Sequence, residues 1–328
     1  MDSFLEVSVD HFDSERVAFL ALSAIKGVGF ETLRRISASE KSFQSVIELE
    51  DTDEVRSLLG QSELTKNGNS SQTWRDTRAR ALDNAKRRCQ ELALSNVSIL
   101  FQGDKDFPPQ LNDLRNTPRW LFVQGQTGVL SRPSISVVGS RKASQDGVWL
   151  TRYVGHWLSE FGAPTVSGLA DGIDQVIHSA SIDAGVPTIA FLGTGIFTEF
   201  PKGSDRLRRT ILDNGGAIAT EYLIKEGYSA ANFVRRNRLQ AALSRLLIPT
   251  EWAIKSGTAH TVRYAHDLSR PIAFLRTPVQ QSLDWVPREY QPNNGFFTIP
   301  TEQDDFVEFV FKHLKSERRS KTTQLKLL

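Results

Sequence analysis

Apolar residues recur at helical spacing near the start of the chain. Val17, Leu20, Ala21 and Ala24 share one face, a Gly27-Val28-Gly29 turn follows, and the helical pattern resumes over 32–36. This predicts helix, turn, helix over 15–36. Residues 51–72 are polar and end in Asn-Gly-Asn-Ser-Ser at 67–71, which reads as a flexible loop by composition. Residues 73–93 read as an ion-rich helix carrying Arg75, Arg78, Arg80, Lys86, Arg87 and Arg88. A short strand over 98–101, a Pro-containing loop and a second strand over 120–123 come next.

From residue 134 the pattern changes to short apolar strands separated by segments of helical length. The strands are expected over 135–138, 165–167, 188–192, 217–220, 246–249 and 272–274. Such alternation predicts an α/β fold with a doubly wound, mostly parallel sheet. Ligands of these sheets bind beyond the carboxyl ends of the strands. Residues 276–328 read as a C-terminal extension, a short tail with one helix over 304–315 and a basic, frayed end. The expected division is an N-terminal helical module over 1–92, an α/β domain over 93–275 and the extension over 276–328.

The 328 residues, 39% of them hydrophobic, suffice for one large domain or two modest ones. Net charge is only +2, so any basic footprint has to be local rather than global. The single cysteine, Cys89, excludes an internal disulfide framework and a Cys-rich metal site. Residues 1–14 are acidic without an apolar stretch, which is unlike a signal peptide. No apolar run approaches the roughly 18 residues of a membrane span. The expected setting is therefore cytoplasmic, with no membrane partner.

The candidate chemistry sits at the strand ends. The first strand ends in Gly139-Ser140-Arg141-Lys142, either a phosphate-holding turn at a helix start or a plain tight turn with surface cations. The second ends in Ser-Gly-Leu-Ala-Asp-Gly-Ile-Asp (167–174), followed by His178 four residues after Asp174. These two are either an acid–base pair or a turn brace above a packed histidine, and the absence of a nearby nucleophile favours the brace. The third strand ends in Gly193-Thr194-Gly195 and leads to Phe200-Pro201-Lys202. No Gly-Lys-Ser/Thr loop and no full three-glycine dinucleotide fingerprint occur, which argues against ATP hydrolysis and NAD. After Glu221 comes Phe233-Val234-Arg235-Arg236-Asn237-Arg238. Guanidinium forks suit phosphates, and a neighbouring ring suits an unpaired base; a solvated basic helix start is the equal alternative. Lys255-Ser256-Gly257-Thr258 offers a further helix start aimed at the same mouth.

Taken together these segments resemble the DprA (Smf) family. VVGSRKAS (137–144), SGLADGID (167–174) with His178, TIAFLGTG (188–195), FP (200–201), FVRRNR (233–238) and SGTAHT (256–261) stand in that family's order. GDKDFPPQL (103–111) and LFVQG (121–125) are similar to its lead-in, and IKGVGFETLRRI (25–36) to its helix-hairpin-helix-like module. The resemblance covers about residues 15–275. It implies a Rossmann-like domain, a single-stranded DNA pocket, a homodimer and a hand-over of DNA to a RecA-type recombinase, without catalysis, cofactor or metal. Carried over, it implies that Ser140, Arg141 and Lys142 hold phosphate and that Gly168, Gly172, Gly193 and Gly195 shape the floor. Lys202 would sit at the rim. Phe233, Arg235, Arg236, Asn237 and Arg238 would bind backbone and bases, with Ser256, Gly257 and Thr258 closing the far side. Asp174, His178 and Glu221 become braces of the pocket.

Three departures stand out. Ser204 occupies a position where the family usually has Asn, Pro249 and Thr250 replace apolar strand residues, and the last fifty or so residues leave little room for a winged helix. Such divergence fits a second role, as a regulatory or antitoxin component beside a toxin or phage-defence protein. A third reading, a sensor or hydrolase of nucleotide-like molecules, is weakened because the Pro-Gly-Gly-x-Gly-Thr-x-x-Glu motif of phosphoribohydrolases is missing.

Overall fold

The computed structural model describes residues 12–60, 71–280 and 282–315. The readings of residues 1–11, of the loop at 67–70 and of the basic end after 315 lie outside the described residues. The chain opens with a helical module: α1 (Ser14–Ala24), α2 (Phe30–Ser37), α3 (Phe43–Ile47), α4 (Thr52–Leu59) and α5 (Ser71–Leu94). Asp13 caps α1 by accepting from the Arg16 amide, and Gly27 turns the chain at φ +90° before α2. The helix α4 falls in a stretch expected to be polar loop. Asp51 caps it, and Val55 and Leu59, four apart, bury a narrow face that composition alone does not reveal.

Nine strands and seven more helices follow among the described residues. They are β1 (Val97–Phe101), β2 (Trp120–Gly125), β3 (Ile135–Gly139), α6 (Gln145–His156), α7 (Leu158–Phe161), β4 (Thr165–Ser167) and α8 (Ile173–Asp183). Then come β5 (Thr188–Phe191), α9 (Asp205–Asp213), β6 (Ala217–Thr220), α10 (Ala230–Leu243), β7 (Leu246–Glu251), α11 (Gly257–Asp267), β8 (Ala273–Arg276), β9 (Gly295–Thr298) and α12 (Gln303–Lys315). The main sheet runs β1-β2-β6-β5-β4-β3-β7, antiparallel at β1–β2–β6 and parallel from β6 to β7. The chain builds outward from β3 to β6 and then crosses back to place β7 on the other side of β3. The order therefore reverses between β3 and β7, which is where an open α/β sheet leaves a crevice.

Alternation along β3 sorts the layers. Ile135 and Val137 face Leu150, Val154 and Ile177 of α6 and α8, whereas Val138 faces Ala241, Val262 and Ala265 of α10 and α11. The N-terminal module seats Phe19 against Phe101, Trp120 and Phe122, with ring centroids 5.5, 5.0 and 6.0 Å apart. The unusual Pro249-Thr250 of β7 sits where the β3–β7 register shifts, between the Val138–Pro249 and Gly139–Glu251 pairs. A proline needs no ladder donor at such an irregularity, and Thr250 bonds Thr151 of α6 at 2.7 Å.

Residues 276–315 contribute more than the single helix expected of them. β9 pairs in parallel with β8, and Phe297, Ile299, Phe306 and Val310 join the core formed with Ile135, Val137, Leu246 and Ile248. A four-residue strand framed by Asn-Asn-Gly and Ile-Pro carries too little periodicity to be read locally. Replacing Phe306, fully buried against Phe161 and Phe297, should test how far the core depends on this segment. Phe306→Ala should lower the unfolding free energy by about 3–5 kcal/mol in a denaturant titration. A change below about 1 kcal/mol would mean that α12 is a dispensable appendage.

Candidate functional site

A cleft of about 640 Å³ opens at the reversal between β3 and β7. Its walls are the loop after β3 (Ser140, Arg141, Lys142), the start of α8 (Asp174), the first turns of α10 (Phe233, Arg236, Asn237) and the β7–α11 junction (Glu251, Trp252, Ser256, Gly257, Thr258). Four segments distant in sequence thus meet at one mouth because each follows, or packs beside, a carboxyl strand end.

The helix α10 carries the arginine cluster, and it is not a solvated basic helix start. Residues 236–243 are buried. Arg236 is 4% exposed; its Nη1 donates to the Phe191 carbonyl at 2.6 Å, and its charge faces Asp174. Arg238 donates to Glu221 Oε2 at 2.7 Å, with both side chains buried. Asn237 donates to the Gly257 carbonyl at 3.0 Å and so ties α10 to α11. Arg235 turns away from the cleft. Its guanidinium lies 4.4 Å from the Phe30 ring centre and 3.4 Å from both Glu221 and Glu31, bracing the N-terminal module. The expected run of four ligand-facing polar groups therefore divides into two buried arginines, one clamp and one helix tie. Local composition cannot reveal this, because the partners at 174, 191 and 221 come from other elements.

The accessible charge is on the β3 loop. Arg141 and Lys142 are exposed and form no ion pair among the described residues. The Arg141 guanidinium lies over Phe233 at 4.9 Å. Phe233 in turn packs tilted on Phe200 with ring centres 5.0 Å apart, and Phe200 packs tilted on Tyr228 at 4.7 Å; Tyr228 is 66% exposed. A row of three rings capped by a guanidinium thus borders the cleft. Ser140 Oγ accepts from the Lys142 amide at 3.1 Å and shapes this turn. The start of α6 is not an open phosphate seat, since Glu251 accepts from the Ser144 amide at 2.8 Å and Ser144 Oγ caps Gly147 at 3.1 Å.

The remaining expected residues fall into two layers. Ser256 caps α11 by accepting from Ala259, and Thr258 Oγ1 donates to the Gly139 carbonyl at 2.9 Å, so Ser256, Gly257 and Thr258 head a helix that faces the cleft. None of the four glycines lines the cleft itself. A methyl on Gly168 would collide with Arg236 and Asp174, one on Gly193 with the Phe233 ring, and one on Gly195 with the carbonyls of Leu223 and Ile224. Gly172 takes φ +81° against the Ser140 carbonyl. Lys202 is exposed on the loop next to Phe200 and does not line the cleft.

Asp174 and His178 do not form an acid–base couple. Burial pushes the Asp174 carboxyl above its ordinary range, against the pull of Arg236. His178 is fully buried; its Nε2 donates to the Gly168 carbonyl at 2.5 Å and its Nδ1 accepts from the Thr188 hydroxyl at 2.7 Å. Both ring nitrogens are engaged, and burial pushes the imidazole down to about 4. Among the described residues no group of three His, Cys, Asp or Glu is placed to hold a metal ion. Sequence reasoning missed Trp252, on the wall formed by β7 and α11, and Gln240 deeper on α10. It also left Phe200 and Tyr228 out of the site. Applying the strand-end rule to β7 finds Trp252, the residue after Glu251; the ring row needs the tertiary fold.

Fold and site together define an open α/β protein with a polar cleft at the sheet's reversal point, edged by cations and rings. The profile of the family described as DNA recombination-mediator protein A matches residues 98–292. Protein Smf of Escherichia coli (strain K12) is 36% identical over 240 residues, 64% of this chain and 63% of that protein. The chain thus spans less than two thirds of that relative's length. The structure of DNA processing protein A (DprA) from Streptococcus pneumoniae superposes with a TM-score of 0.63 at 24% identity, over 91% of this chain and 98% of that one. DNA processing protein A from Helicobacter pylori, solved for its single-stranded DNA binding mode, gives 0.51 at 26% identity over 57% of this chain and 82% of that one. This chain belongs to the DNA recombination-mediator protein A family.

Two outcomes are expected from this geometry. Arg238→Ala leaves the buried Glu221 with only the longer Arg235 contact and should cost about 2–4 kcal/mol of stability, whereas Arg141→Ala should stay within about 0.5 kcal/mol; equal effects in urea titrations would refute the burial assignment. His178 is neutral in the fold down to about pH 4, while an unfolded chain takes up a proton near 6.5. Stability should therefore fall as pH drops through that window, by about 3 kcal/mol, and level off below it. A His178→Gln variant should show a shallower decline over the same interval; parallel curves would count against a buried neutral imidazole.

Proposed function

We propose that this protein binds single-stranded DNA in the cleft at the β3–β7 reversal and mediates recombination by presenting that strand to a RecA-type recombinase. The observation that carries the reading is the pairing of two exposed cations, Arg141 and Lys142, neither in an ion pair among the described residues, with the Phe233–Phe200–Tyr228 row. Cations on phosphates and rings on unpaired bases are the two elements of sequence-tolerant single-strand recognition. In this reading Ser140, Arg141, Lys142 and the α11 start at Ser256, Gly257 and Thr258 take the phosphates, and Phe233 stacks a base. Lys202 adds charge at the rim. Arg236, Asn237 and Arg238, braced by Asp174 and Glu221, hold the wall rather than reach the strand, and Arg235 clamps the N-terminal module. Gly168, Gly172, Gly193 and Gly195, with His178 below, let the floor pack closely. The reading assigns the site no bond-making step. The single-strand binding mode described for the Helicobacter pylori relative supports it, as does the family's description as a recombination mediator.

Fluorescence anisotropy with a labelled oligothymidylate and with a duplex, at two salt concentrations, tests the proposal. The single strand should bind more tightly. The slope of log K against log salt should drop by about 0.7 for each phosphate that Arg141→Ala/Lys142→Ala no longer neutralises. Phe233→Ala should weaken binding by about 1–3 kcal/mol. A folded wild type that binds neither form, or a double variant with unchanged affinity and slope, would reject the assignment.

A further inference from the structure

A second cleft, of about 740 Å³, opens on the opposite side of the α10 start. Its walls come from α2, from the loop between β1 and β2 with Arg115 and Arg119, and from Arg235 and Arg238 of α10. It shares Ala230 and Val234 with the first cleft, so the two are separated only by the head of α10.

The charge of this cleft is unbalanced. Arg238 and Arg235 share Glu221 at 2.7 and 3.4 Å, and Arg235 and Arg34 share Glu31 at 3.4 and 2.8 Å. Three guanidinium groups thus share Glu221 and Glu31, and Glu226 lies within electrostatic reach of Arg235. Arg238 is 5% exposed, and its Nη1 has no hydrogen-bond partner, an uncommon state for a buried donor. Further out, Arg119 donates to Gln102 Oε1 at 2.8 Å, and among the described residues neither Arg119 nor exposed Arg115 forms an ion pair. Five arginines and one carboxylate line the cleft, and a buried unpartnered guanidinium donor below Arg115 and Arg119 favours an anion entering it. The ridge between the clefts is itself a helix N-terminus. Ser229 caps it at the Asn232 amide, and the helix start favours a phosphate lying across it.

We propose that this second cleft is a phosphate track for the same single strand. The strand leaves the first cleft, crosses the head of α10 and lays its sugar-phosphate backbone along Arg119 and Arg115. Its described lining is dominated by arginines, with Tyr264 the single ring among them, so the track holds mainly backbone. This inference rests on the single-strand reading of the first cleft and extends it to strand length.

Strand length is the test. Labelled oligothymidylates of about 4 and about 16 nucleotides, spanning the usual range of single-strand site sizes, are titrated into wild type, Arg115→Ala/Arg119→Ala and the exposed single change Arg115→Glu, with thermal melts to confirm folding. Wild type should bind the long strand more tightly. Both variants should lose roughly tenfold on the long strand, with a smaller salt slope, and bind the short strand as wild type does. Equal wild-type affinity for the two lengths, or a long-strand advantage that survives in both variants, would overturn the track while leaving the first cleft intact. A wild type that binds neither length would overturn the single-strand reading itself, and the track with it.

Discussion

The burial of two guanidinium groups by α10 is the constraint on which the rest of the structure turns. Arg236 and Arg238 lie under the cleft wall with exposures of only a few per cent. Charges taken that far out of water are tolerated only with partners of opposite sign and well-placed acceptors. Glu221 at the end of β6, Asp174 on α8 and the Phe191 carbonyl supply them. Each comes from a different strand end, so satisfying the arginines fixes α10 against three parts of the sheet at once. The same helix forms a wall of both clefts, and its position decides where Phe233 and Val234 face.

Close packing of backbone follows from that arrangement. Gly168 leaves room for Arg236 and Asp174, and Gly193 leaves room for the Phe233 ring. His178 holds the Gly168 carbonyl from below. The glycines at the strand ends pack tightly against other elements of the fold. They are thin places in the floor that let a charged second layer approach. The exposed cations Arg141 and Lys142 sit on the loop after β3, whose backbone packs against Gly172 while the side chains face outward.

Charge is sorted by layer rather than by amount. A chain with a net charge of +2 has no global field to speak of. Alternating arginines and carboxylates run from Arg238 through Glu221, Arg235 and Glu31 to Arg34, linking the sheet to the N-terminal module. Exposed members of such a chain contribute little each. The buried Arg238–Glu221 end contributes specificity of position, because moving it leaves a charge without its partner.

Periodicity and turn residues made the strands, the order of the motifs and the mouth at the strand ends legible, since these depend on side chains near one another in sequence. The strand-end glycines, the Gly-Ser-Arg-Lys turn and the family resemblance followed from the same local information. Other features depended on contacts between distant segments. β9 became a strand only by pairing with β8, and α4 owes its place to a two-residue apolar face. The arginines at 235–238 present the same chemistry in sequence but have different roles in the fold. Whether a guanidinium meets solvent, a ring or a carboxylate was decided by which strand end lay beside it. A sequence states the charge of a side chain, but its partner is set only when the sheet brings Glu221 and Asp174, and the N-terminal module brings Glu31, to the same helix.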